Sequence, residues 1–126
     1  SKKELPKKEV KEEKLKEQKR GGLRALQGNL PAEYLEAVRQ AIQENIFYPL
    51  EALEAGIEGP VMVQFSLGRE GQVLSCKPLF GQEILAQATC IAIERSKFPP
   101  IPSSIKNDKL SFQLQVDYKL SSVKPR

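Results

Sequence analysis

Cys76 and Cys90 are the only thiols in the 126-residue chain, and no histidine accompanies them. A single Cys pair with thirteen residues between lacks the ligand spacing of a metal site. Without histidine, the commonest general base and the Ser-His and Cys-His nucleophilic pairs are all excluded. Glu51, Glu54 and Glu58 are spaced on a short helical segment but have no partner group in view. Gly68-x-x-Gly71 is a turn, too short to cradle a phosphate. The remaining chemistry is redox. In an oxidising compartment the two cysteines either bridge or sit as small buried thiols, and spacing alone leaves both open. The chain is therefore read as non-enzymatic, with no cofactor and no metal.

The formal net charge is +4. Residues 1–20 carry nine Lys/Arg and five Glu, so the whole surplus sits there and the remainder is balanced. Phosphate binding needs a basic face on the folded module, or basic residues interleaved with stacking aromatics. The N-terminal run contains no aromatic, which points away from nucleic acid. Its Leu5, Val10 and Leu15 recur every five residues and line up neither a helix stripe nor a strand face. Gly21-Gly22 ends it. The expectation is a charged flexible spacer over residues 1–28, a folded domain over 29–121 and a tail over 122–126. No apolar run approaches the ~20 residues of a membrane span. The start at Ser1-Lys2-Lys3 suggests an excised fragment.

The elements follow from periodicity. A helix is expected from about Pro31 to Asn45, with Asn29 as cap and Leu35, Val38, Ile42 and Ile46 as its apolar stripe. Pro49 holds Tyr48 extended. A short helix, Leu50 to Ala55, stops at Gly56. Residues 60–67 alternate as a half-buried strand, and Gly68-Arg69-Glu70-Gly71 turns the chain into a hairpin partner over 72–78. A third helix runs from about Gln82 to Ser96 with Leu85, Thr89, Ala92 and Ile93 inward, and Pro99 stops it. Leu110, Phe112, Leu114, Val116, Tyr118 and Leu120 alternate with polar residues as the last strand. This is an α+β fold with an antiparallel three-stranded sheet packed by helices, the last strand at a sheet edge.

The ordered set Tyr48-Pro49, Ile57-Glu58-Gly59-Pro60-Val61-Met62-Val63-Gln64-Phe65, Gly71-Gln72-Val73, Leu85-Ala86-Gln87-Ala88 and Phe98-Pro99-Pro100-Ile101-Pro102 resembles the C-terminal domain of TonB. The likeness spans about residues 46–120. A TolA-like periplasmic domain, of related topology, is the alternative; Glu58-Gly59 and Phe98-Pro99-Pro100 favour TonB.

The resemblance implies a periplasmic domain of an energy transducer, anchored in the inner membrane by an N-terminal helix absent from this fragment. In the family, other parts of the protein associate with ExbB and ExbD, and the C-terminal domain binds the TonB box of outer-membrane transporters for iron complexes, cobalamin or similar cargo. The box adds a strand along the last strand of the domain, which points to Ser111, Gln113, Gln115 and Asp117. Asn45, Ile46 and Phe47 occupy the place of the transporter-contacting segment. Tyr48, Pro49, Glu58, Gly59, Gly71, Pro99 and Pro100 take structural roles. Glu51 and Gly56 stand where many members carry arginine, so contacts depending on those arginines do not carry over. A homodimer by strand exchange is left open.

Overall fold

The computed structural model describes residues 12–14 and 22–123. Along the chain come β1 (Glu12–Lys14), β2 (Leu23–Ala25), α1 (Ala32–Gln43), β3 (Phe47–Pro49), α2 (Leu50–Ala55), β4 (Gly59–Gly68), β5 (Val73–Phe80), α3 (Glu83–Arg95), β6 (Lys109–Tyr118) and a 3-10 turn, Leu120–Ser122. The main sheet has four antiparallel strands in the order β2-β6-β4-β5, and β1 pairs separately with β3.

The sheet thus has one strand more than the three expected, and β6 is an inner strand rather than an edge. The added strand is β2, from residues assigned above to the spacer. Leu23 and Ala25 are half-buried on either side of exposed Arg24, and Gly22 lets the backbone close on β6. A Cβ on Gly22 would stand 2.8 Å from the Gln115 carbonyl oxygen. The spacer reading also meets β1, where residues 12–14 pair with 47–49; the rest of residues 1–20 lies outside the described residues.

Pairing of β4 with β6 runs unbroken over ten positions, from Gly59 opposite Tyr118 to Gly68 opposite Lys109. Val61, Val63, Phe65 and Leu67 are buried on one face, joined by Leu110, Phe112, Leu114, Val116 and Tyr118. Phe65 stacks on Phe112 at 5.1 Å and lies 6.0 Å from Phe98, which closes the core beneath the sheet. Leu120, expected to continue the strand, falls in the 3-10 turn. Pro60 sits second in β4, opposite Asp117, where a missing N–H costs the β6 ladder nothing. Two bulges interrupt β4–β5 pairing, leaving Leu79 and Leu74 without partners.

The helices cover the apolar face. In α1 the buried stripe is Tyr34, Val38 and Ile42, with Leu35 only half-buried. Pro31, not Asn29, is the N-cap; its carbonyl accepts the N–H groups of Tyr34 and Leu35. Helix α3 buries Leu85, Ala86, Ala88, Thr89, Ala92 and Ile93. Among the described residues no helix is long and apolar enough to cross a membrane.

The motif residues knit these layers together. Tyr48 is fully buried, donates its hydroxyl to the Ile57 carbonyl, and meets Tyr118 edge-to-face at 5.4 Å. Pro49 is the N-cap of α2, and the Glu58 carboxylate accepts the Leu120 N–H at 2.8 Å. Gly59, at φ 138°, opens β4. Gly71 has φ 90°, and a Cβ there would lie 2.5 Å from the Phe98 carbonyl oxygen and 2.8 Å from that of Pro99. Only glycine allows both the turn and that approach. Pro100 is exposed.

Candidate partner-binding surface

The surface is defined by the backbone of β6. Successive residues of an antiparallel strand turn their N–H and C=O to opposite sides. The Leu26 N–H donates to the Ser111 carbonyl at 2.9 Å, which sets the phase. Ser111, Gln113, Gln115 and Asp117 therefore address the side away from β4, while Leu110, Phe112, Leu114, Val116 and Tyr118 address β4. The polar residues of β6 carry both the side chains of the open sheet face and the backbone groups of the outer edge.

That edge is partly covered. Leu23, Arg24 and Ala25 stand opposite Leu114, Gln113 and Phe112. At Ser111 the Gln27 side chain imitates a peptide unit: Nε2 donates to the Ser111 carbonyl at 3.0 Å, and Oε1 accepts the Ser111 N–H at 2.6 Å. Arg24 donates to Gln113 Oε1 at 2.6 Å, and Gln113 Nε2 reaches Gln64 Oε1 at 3.4 Å. Asp117 lies beyond the β2 pairing and has Lys119 at 3.5 Å. Gly22, Arg24 and Gln27 thus belong to this surface and were not expected there. The only sequence signal was one cycle of Leu-Arg-Ala alternation.

Of the segment ahead of Tyr48, Asn45 is half-buried and its amide donates to the Ala41 carbonyl at 3.0 Å and to Ser96 Oγ at 3.3 Å. Ile46 and Phe47 are buried, and the Arg95 guanidinium lies 5.3 Å from the Phe47 ring centre. The backbone of Phe47 is paired with Lys14 of β1. Ile46 and Gln115 line one cleft with Gly22, Leu23, Arg39 and Val116, so the two expected contact segments converge. The volume of that cleft is ≈ 20 Å³, room for about one water while β2 is seated.

Cys76 on β5 and Cys90 on α3 are joined by a disulfide, Cα to Cα 5.7 Å. Among the described residues no group of three His, Cys, Asp or Glu could hold a metal ion. The groups of shifted acidity are three buried tyrosines of the core, including Tyr118 at the end of β6. Burial pushes the Tyr118 phenol up to about 12; the hydrogen bond with Thr89 at 2.9 Å opposes this and Tyr48 adds to it. Tyr48 is raised by burial and by Glu58, and Tyr34 by burial.

No curated protein matches the chain. Two solution structures of the Helicobacter pylori TonB C-terminal domain are similar to it. The longer fragment has 27% identity and a TM-score of 0.59, covering 78% of this chain and 88% of its own. The shorter has 29% identity and a TM-score of 0.53, covering 71% and 97%. The family model described as the C-terminal of the Gram-negative bacterial TonB protein matches residues 44–120, well over half of the sequence. This chain belongs to the TonB C-terminal domain family.

Proposed function

We propose that this domain is the periplasmic, non-catalytic grip of a TonB-type energy transducer. It binds the TonB box of outer-membrane transporters by adding that peptide as a strand along the outer edge of β6. Parts of the full-length protein outside this sequence associate with ExbB and ExbD. The grip couples the inner-membrane proton-motive force to uptake of iron complexes, cobalamin or similar cargo. The observation carrying this reading is the outward phase of Ser111, Gln113, Gln115 and Asp117, whose backbone groups lie on a side covered over only three paired residues. Strand addition draws its affinity from main-chain hydrogen bonds and tolerates varied side chains, as suits one domain serving several transporters. Ile46 lines one cleft with Gln115, and together with its neighbours Asn45 and Phe47 it supports the peptide at that end.

Chemical-shift mapping with a synthetic TonB-box peptide tests this reading. The expected perturbations fall on the amides of 111–117 and 45–47. Perturbations confined to the hairpin at residues 66–73 would rule out the β6 edge.

A further inference from the structure

We infer that residues 22–27 are an intramolecular stand-in for the partner strand: they occupy the β6 edge in the free protein and must leave it before a peptide can pair there. The inference rests on the strand-addition reading above and adds a regulatory step to it. A partner peptide needs the outward N–H and C=O groups of Ser111, Gln113 and Gln115. Those are the groups now engaged by Leu26, Gln27 and Arg24 or crowded by Gly22. Both cannot be satisfied at once, so the two strands compete.

The contacts suit a strand that comes off. Only three residues of β2 are paired, against ten in β4. Leu23 and Ala25 are half-buried, and the side-chain bonds of Gln27 to Ser111 and of Arg24 to Gln113 are exposed to water. Few buried apolar contacts and solvent-exposed hydrogen bonds mark a segment of low local stability. A second observation points the same way. Phe47, the last residue of the other expected contact segment, is paired with Lys14 of β1, which also comes from the N-terminal stretch. Two segments N-terminal to α1, residues 12–14 and 22–27, thus pair with Phe47 and with β6 respectively. Because residues 22–27 are tethered, they compete at a high effective concentration. The apparent affinity for a peptide is then the intrinsic affinity reduced by the fraction of molecules with β2 detached.

The test uses the full chain and a Gly22→Ala/Gln27→Ala variant. The first change sets a methyl group against the Gln115 carbonyl and the second removes the peptide-like clamp on Ser111. In calorimetric titration with a synthetic TonB-box peptide, the variant is expected to bind about tenfold more tightly. Equal or weaker binding, with the peptide still mapping to 111–117, would overturn the inference. A separate arm needs no peptide. Amide exchange at Ser111 and Gln113, which face β2, is expected to be much faster than at Phe112 and Leu114, which face β4. Equal protection at all four would mean that β2 leaves only on global unfolding, and the stand-in idea would fail. Peptide binding to neither protein would instead sink the strand-addition reading, leaving exchange to judge β2.

Discussion

The two edges of the main sheet are closed by opposite means. At one, β5 is pinned to α3 by the Cys76–Cys90 bridge, bulged at Leu79 and Leu74, and carries Pro78 between them. Bulges and proline spoil the regular ladder that an added strand would need. This edge also exposes Leu74, Leu79 and Phe80, the last at 63%, so a regular ladder here would be an aggregation hazard. At the other edge a regular β6 is covered by the three-residue strand β2, whose pairing is extended only by the Leu26 N–H and the Gln27 side-chain amide. On the proposed reading, access rather than apolarity decides which edge takes an added strand. The greasier one is locked by covalent and backbone irregularity, and the polar one is merely covered.

The largest effect should come from unlocking the first edge. Cys76→Ser with Cys90→Ser opens a loop of sequence separation 14 and should lower unfolding free energy by about 3 kcal/mol in urea titration. Peptide affinity at β6 should stay within about twofold of the parent, since the bridge lies at the opposite edge. A parallel collapse of binding would mean that the two edges are not independent.

Alkali probes the inner side of β6, which the contrast assumes to be firm. The Tyr118 phenol titrates near 12 when folded, against about 10 in an unfolded chain. Between those values the folded state holds a proton that the unfolded state has lost. Stability is therefore intact below pH 10 and falls by about 2–3 kcal/mol as pH rises through 10 to 12. Tyr34 and Tyr48, raised in the same direction, add to the fall. Tyr118→Phe should flatten much of this slope in pH-dependent unfolding; an unchanged slope would remove Tyr118 as its source.

The smallest effects belong to the covered edge itself. Gln115→Pro removes an outward N–H and should weaken peptide binding by about five- to tenfold, the worth of one or so hydrogen bonds. Gln113→Ala or Gln115→Ala should change it by less than about threefold, because the backbone supplies the contact. If the alanine variants lose as much as the proline one, side-chain recognition dominates and the edge comparison has to be redrawn.

Long regular elements were legible in the sequence and short ones were not. The alternation of β4 and β6 spans enough residues to display its period. So does the wheel of α3, whose expected inward residues Leu85, Thr89, Ala92 and Ile93 are all buried. The stop of α2 at Gly56 also falls where expected. β2 offers three residues, too few for a period-2 signal to stand out beside a charged run. Its pairing is decided by Gly22 and Gln27, whose roles exist only once β6 is opposite. The α1 stripe differs from expectation only at its first position. Val38, Ile42 and Ile46 are buried, but Tyr34 takes the place of Leu35, because both fit a helical spacing to Ile42 and only packing chooses between them. For the cysteines, spacing says nothing of the 5.7 Å that separates their Cα atoms.

The ten-residue register between β4 and β6 has a mechanical consequence. A load applied lengthwise to β6 is shared by every hydrogen bond of that ladder at once, as in a lap joint under shear. A short strand pulled from its end, such as β2 drawn by the chain preceding Gly22, gives up its bonds one after another, as a zip does. The same sheet therefore resists tension along its centre and peels readily at its rim.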